Sequence, residues 1–426
     1  MSPSEAPSAR SSPAWRPGTM HAALLLTAAC ASVLGSLLIA PVLPQFERAF
    51  ADAPGIDTLA PMLMTLPALG IAVLGPLAGS VTDRFGRTRL LFGALLAYAI
   101  VGTAPLWLDS LPLILLSRLL LGVVEAAVMT TSMTLLGDYF TGARRDRCMS
   151  WHSVITSVAA VGILAVGGAL GASGWRTPFW VYAAALPLFA AMVLTLREPR
   201  PGRAATGATG RRVGALPWRS LAPLLVLTVV GAACLFFVLQ VQLSFVLDDL
   251  DVGSGSIGAS AAIANAGVVA GSLAFVRWAR HGAGRFLIAA FVVGPLGLVL
   301  ISEGSSWATV TVGAFVAGVG CGFLLPSLLI GTTARLSFDQ RGRGTAAWTS
   351  AFYFGQFLSP IAVGALGSVP GGLDGAIKCC AVAGLLAGVA AVFLLRRRPL
   401  SVNAQVEPGH GGAAPAEPVG NTTDAQ

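Results

Sequence analysis

Two charged residues stand where charge is expensive. Arg118 and Glu125 occur in Leu-Ser-Arg-Leu-Leu-Leu-Gly-Val-Val-Glu, inside an apolar run over 111–138. Seven residues is almost two helical turns, so both project from one face, roughly 10 Å apart along the axis. An ionisable group at such depth usually faces a cavity or a partner. A carboxyl pulled one way by burial and the other by a guanidinium can exchange its proton near neutral pH. The chemistry this permits is proton uptake and release, or a counter-charge for a bound substrate. Glu125 is the candidate acceptor and Arg118 its electrostatic modulator; a purely structural polar contact is the competing explanation.

Weaker candidates share the apolar environment. Gln240, Gln242, Asn265, Tyr353 and Gln356 are isolated polar side chains within long apolar runs. Such groups contact a substrate in a cavity or simply pair helices. The six cysteines make no C-x-x-C pair, and Cys379 and Cys380 point to different helix faces, so neither a disulfide framework nor a metal site is expected. No cofactor motif, nucleotide loop or nucleophile constellation is visible, which argues against an enzyme.

The elements that must position these residues are membrane spans. Hydrophobic residues make up 55% of the 426 residues and charged residues 11%, where a soluble domain carries roughly a quarter charged. Lipid-facing surface needs no charge, and apolar runs of about twenty residues recur. They fall near 20–44, 58–81, 89–107, 111–138, 149–172, 175–196, 219–247, 256–276, 286–302, 307–333, 344–368 and 374–395. The arginines follow this layout. Clusters at Arg84, Arg87 and Arg89, at Arg144, Arg145 and Arg147, and in each alternate loop through Arg396–Arg398 lie on one side. Only Arg48, Arg176 and Lys378 fall on the other. By the positive-inside rule both termini are cytoplasmic. The net charge of +8 is thereby spent on topology, not on nucleic acid.

The expected organisation is a disordered tail over 1–19, a six-helix bundle over 20–196, a cytoplasmic linker over 197–218, a second bundle over 219–395 and a disordered tail over 396–426. An internal echo supports duplication: Gly75-Pro-Leu-Ala-Gly79-Ser closes the second span and Gly267-Val-Val-Ala-Gly271-Ser the eighth. Gly75 and Gly79, one turn apart, would let a neighbouring helix approach closely.

The stretch Gly75-Pro-Leu-Ala-Gly79-Ser-Val-Thr-Asp83-Arg84-Phe-Gly86-Arg87-Thr-Arg89 resembles the loop 2–3 signature of the major facilitator superfamily, at its expected place between the second and third of twelve spans. The resemblance implies an all-α membrane protein of two pseudo-symmetric six-helix bundles. It further implies a cytoplasmic gate in which Gly75, Gly79, Asp83, Arg84, Gly86 and Arg87, with Asp138 at the end of the fourth span, clamp the halves together and release them during transport. Arg118-x-x-x-Gly122 resembles the superfamily's fourth-span motif, linked there to proton or substrate handling. The fifth span keeps the Gly167-Gly168 pair of the drug–proton antiporters but has Ile163-Leu164 in place of their Gly-Pro step. These features imply a monomeric secondary transporter of a bacterial inner membrane, coupling protons to efflux of small amphipathic organic compounds. Uptake of a small organic anion, with Arg118 as its ligand, is the alternative.

Overall fold

The computed structural model describes residues 17–198, 215–278, 282–337 and 340–397, without the side chains of residues 32, 76–85, 153, 283 and 397. The expected tails and linker lie largely outside these residues. Among the described residues there are twelve helical segments and no strands. In chain order they are α1 (Thr19–Ala49), α2 (Ile56–Phe85), α3 (Arg87–Thr103), α4 (Leu111–Tyr139), α5 (Gly142–Gly171) and α6 (Thr177–Thr195). The remainder are α7 (Trp218–Asp248), α8 (Ser254–Trp278), α9 (Ala283–Ser302), α10 (Trp307–Thr333), α11 (Arg341–Ala365) and α12 (Gly372–Arg397).

Eleven of these segments are long and apolar enough to cross a bilayer. The other, α11, spans 25 residues but interleaves Ser350, Tyr353, Gln356 and Ser359 among its apolar positions. Its polar side faces protein rather than lipid: Gln356 and Ser359 are buried.

Local chemistry shapes the ends and breaks. Gly86, at φ +84°, is the single residue between α2 and α3, and Gly174, at φ +119°, turns the hairpin into α6; a side chain would oppose either conformation. Helix α1 is interrupted twice. It breaks at Cys30, and it tightens to a 3₁₀ turn at Ala40–Val42, where Pro41 and Pro44 cannot donate backbone hydrogen bonds. A π-helical turn at Ala232–Phe236 interrupts α7.

The halves repeat one packing scheme. In residues 19–195, α4 packs on α2 and α3, and α3 on α6; in residues 218–397, α10 packs on α8 and α9, and α9 on α12. The second-half glycines of the echo do allow close approach. An added Cβ on Gly267 or Gly271 would lie 2.4 Å from the carbonyl oxygen of Phe315 or Val319 on α10. Gly75 behaves differently: among the described residues only Ile71, on its own helix, comes within 4 Å. The first-half crossing instead uses Gly122, where an added Cβ would lie 1.9 Å from the Pro67 carbonyl oxygen. Gly79 belongs to the stretch without described side chains.

The halves meet chiefly along α2 with α11 and α5 with α8. Several close contacts between them lie on the face opposite the arginine clusters. Gly168 and Gly258 bring α5 and α8 together, with Cβ positions 2.8 Å from the partner's backbone, and Gly364 of α11 abuts Thr58 of α2. Arg48 pairs with Asp248 across the halves at 2.6 Å.

Candidate functional site: a central cavity beside a buried carboxyl

A cavity of about 240 Å³ lies between the halves, drawing Val33, Ser36 and Leu37 from α1 and Thr156, Ser157 and Ala160 from α5. The second half supplies Phe236, Phe237, Asn265, Val268, Val269, Leu325, Phe352, Tyr353 and Gln356. Its character is aromatic and apolar with a few polar groups, as small-molecule sites generally are. Phe352 anchors the aromatic side, with ring centroids 5.5 Å from Phe236, 5.3 Å from Phe237 and 5.7 Å from Tyr353. The indole of Trp348 stacks on it at 5.9 Å. The π turn of α7 ends on Phe236, a type of bulge frequent at functional sites because it re-aims the side chains that follow.

The structure sorts the weaker candidates. Asn265, Tyr353 and Gln356 line this cavity. Gln240 sits behind it and accepts a 3.1 Å hydrogen bond from Asn265 Nδ2, leaving its own Nε2 without a partner. Gln242 lines a different cavity, on the face opposite the arginines. Gln356 donates from Nε2 to Ser36 Oγ at 3.3 Å, joining α11 to the broken helix α1. Reading the sequence alone missed Ser36 and the Phe236, Phe237 and Phe352 cluster. The adjacent aromatics Phe236-Phe237 and Phe352-Tyr353-Phe354 were the available signal, but lipid-facing helices carry such pairs too.

Glu125 and Arg118 are both 0% exposed. They do not form an ion pair. Arg118 donates from Nη2 to the carbonyls of Val101 and Gly102 at 2.9 and 3.0 Å. Its guanidinium lies 5.1 Å from the Phe179 ring centre and 5.4 Å from that of Tyr182. The arginine therefore ties α4 to α3 and α6 and does not face the central cavity. Both carboxyl oxygens of Glu125 lack a hydrogen-bond partner. They press against Gly35, where an added Cβ would lie 1.6 Å from Oε1. Tyr98 and Tyr182 flank this spot and donate to the α1 carbonyls of Ala31 at 3.0 Å and Gly35 at 3.2 Å. Gly35 thus touches the carboxyl, and its neighbour Ser36 touches the cavity.

At the arginine-rich face, Arg87 forms an ion pair with Asp138, joining the start of α3 to the end of α4. Glu198, not anticipated from the sequence, accepts from the backbone N–H of Arg87 at 2.7 Å and of Thr88 at 2.9 Å, and from the Thr88 hydroxyl. It caps the start of α3 from across the bundle. Burial works against its charge, but these hydrogen bonds and the nearby Arg89 hold its pKa below the usual carboxylate value. The Arg87–Asp138 pair lies within the first half, and Glu198 reaches α3 from just beyond the end of α6. The side chains of Asp83 and Arg84 lie outside the described residues.

The sequence matches the description "Major Facilitator Superfamily" over residues 25–247 and again over 225–420. The chain belongs to the major facilitator superfamily. It is a multi-pass membrane protein of a transporter superfamily. Its relatives include the multidrug efflux pump LfrA of Mycolicibacterium smegmatis, 33% identical over 32% of this chain and 28% of that one. The tetracycline resistance protein, class G, of Vibrio anguillarum is 27% identical over 82% of this chain and 90% of its own length. Relatives of these kinds agree with the drug/proton antiporter-like branch. The matches to LfrA and to the bovine protein spinster homolog 1 span only about a quarter of those proteins, 28% and 25%. Among solved structures, a bacterial homolog of the human lysosomal transporter Spinster, in an inward-facing and occupied conformation, superposes with a TM-score of 0.74 at 16% identity, covering 92% of this chain and 99% of that one. A D-xylose–proton symporter gives 0.71 at 15% identity, covering 90% and 99%. At such identities the likeness is one of fold.

Proposed function

We propose that this transporter exports small amphipathic organic compounds in exchange for protons, by alternating access, as a monomer in a bacterial inner membrane with both termini cytoplasmic. The two six-helix bundles are the moving units. Glu125 is the proton carrier, and the cavity lined by Phe352, Asn265, Tyr353 and Gln356 is the substrate site. The observation that carries this reading is the position of Glu125. A carboxylate there would be a buried charge with no hydrogen-bond partner, which costs far more than a neutral carboxylic acid in the same place. The proton then sits on Glu125 in the present arrangement, in which the halves are packed together on the outer side. Releasing it would put a charge against Gly35 and favour movement of the α1 segment that also walls the cavity. The gate motif around Asp83, with Arg87 and Asp138, would hold the cytoplasmic ends together in the opposite state.

The names of the relatives favour export, and the arginine geometry disfavours the alternative. Uptake of an organic anion needs a cation facing the cavity, and Arg118, whose Nη2 donates to two carbonyls, is not among the residues that line it. The direct test is ethidium or tetracycline flux in right-side-out and inverted vesicles under an imposed pH gradient. Export by exchange predicts accumulation in inverted vesicles with an acidic interior. Accumulation in right-side-out vesicles driven by external acid would overturn it.

A further inference from the structure

The π turn of α7 carries a thiol that the transport chemistry does not use. Cys234 sits in the middle of Ala232–Phe236, two residues before Phe236, which lines the central cavity. The turn is held between two helices of the second half, α11 and α12. On one side it meets Gly355 of α11, where an added Cβ would lie 2.7 Å from the Ala232 side chain. On the other, Leu235 packs on α12: an added Cβ on Gly384 would lie 2.7 Å from Leu235 Cδ2. One helical turn before Gly384, on the same face, is Cys380. Its thiol meets that of Cys234 in a side-chain hydrogen bond, and both side chains belong to one hydrophobic cluster. The fold thus brings together two cysteines whose spacing in the sequence gave no sign of pairing.

Apolar packing favours a reaction whose product is neutral, and joining two thiols as a disulfide is one. Cys234 is half-buried and Cys380 fully buried, so a small uncharged oxidant reaches Cys234 first. With hydrogen peroxide, the Cys234 sulfur attacks one oxygen, the O–O bond breaks, and a sulfenic acid and one water result. The Cys380 sulfur then attacks the Cys234 sulfur. The S–S bond forms as the S–O bond breaks, and the departing hydroxide takes the Cys380 proton to become a second water. Two thiols give up two electrons to one peroxide, and no charge is left among the helices.

We propose that Cys234 and Cys380 form an oxidation site, at which a peroxide closes a disulfide that ties the π turn of α7 to α12 and arrests transport. A π turn spaces its hydrogen bonds one residue wider than an α-helical turn. Returning it to regular α-helix would rotate the residues on one side of it by about 100° relative to those on the other. Phe236 and Phe237 follow Cys234, so their direction into the central cavity depends on the turn. A covalent bond from within the turn to α12 removes that freedom. The site requires nothing of the cargo or of the direction of transport.

The test oxidises the purified full-length protein in detergent with hydrogen peroxide, blocks the remaining thiols with iodoacetamide and maps cross-linked peptides by mass spectrometry. The expected product is a Cys234–Cys380 link, absent from Cys234→Ala and from Cys380→Ala and kept by Cys379→Ala. Mapping in the unsubstituted protein stands whether or not a given variant folds. Amide hydrogen exchange across 230–240 should slow by roughly tenfold on oxidation and return to its reduced rate with dithiothreitol. Flux of whichever of ethidium and tetracycline the reduced protein carries should fall by about tenfold or more and recover likewise, with Cys234→Ala insensitive to peroxide. No link, a link to Cys379 in place of Cys380, or a link that leaves either amide exchange or flux at its reduced value would overturn the proposal. Each of these outcomes leaves the export reading as it was.

Discussion

The two halves repeat one packing scheme and yet hold different chemistry at their centres. Among the described residues, the charge-bearing side chains classed as buried are Arg118 and Glu125, and both belong to the first half. The second half offers the Gln240–Asn265 amide pair and the Phe236, Phe237 and Phe352 rings. Repetition of the backbone arrangement therefore does not bring repetition of the site. We read the asymmetry as a division of labour, in which the first half handles the proton and the second grips the substrate. Helix α1, touching Glu125 through Gly35 and Gln356 through Ser36, lies between them.

The largest effect expected of that division is on coupling. Glu125→Gln should lower proton-driven flux by about a hundredfold or more, with binding of ethidium to the purified protein nearly unchanged. Proton-driven flux at the wild-type rate would remove the first half's role. Next is Gly35→Ala, whose methyl group would overlap the carboxyl. It should cost about 3 kcal/mol of stability, read as a lower melting temperature in detergent, and combining it with Glu125→Ala should recover most of that loss. If the double variant is no more stable than Gly35→Ala, the contact is not what limits residue 35.

In the second half, Phe352→Ala should weaken substrate binding by roughly tenfold, the equivalent of about 1.4 kcal/mol, and leave the ratio of protons to substrate unaltered. A changed ratio would mean that the labour is not divided between the halves. The smallest effect belongs to the arginine-rich face. Glu198→Gln weakens the cap on α3 and should cost about 1 kcal/mol. Because the Glu198 pKa is held low in the folded protein, its contribution is complete above the ordinary carboxylate pKa and fades as pH falls through the folded value. The melting difference between wild type and variant should close in that acidic window; a difference that persists there points to a role independent of charge.

Much of the architecture was legible because membrane spans are written locally. About twenty apolar residues in a row satisfy the bilayer whatever lies beside them, and the arginines at alternate loops mark the two sides without reference to packing. The superfamily signature at Gly75–Arg87 is likewise contiguous, and Glu125 announced itself as an acid in an apolar run. The sequence by itself therefore determined the all-helical class, the order of the spans and the depth of Arg118 and Glu125.

Only the tertiary structure decided how each helix is rotated and what it meets. Seven-residue spacing put Arg118 and Glu125 on one face, but whether they pair depends on α3, whose Val101 and Gly102 carbonyls take the guanidinium. Gln240 and Gln242 looked alike in the sequence; two positions apart on one helix, they point some 200° apart, and one backs the central cavity while the other lines a separate cavity on the face opposite the arginines. Gly75 and Gly122 were both small residues, and the helix crossing falls on Gly122. The cause is common to all three. A span's composition answers to the lipid around it, whereas a site is made where residues remote in sequence converge, and that convergence is set by contacts no single helix contains.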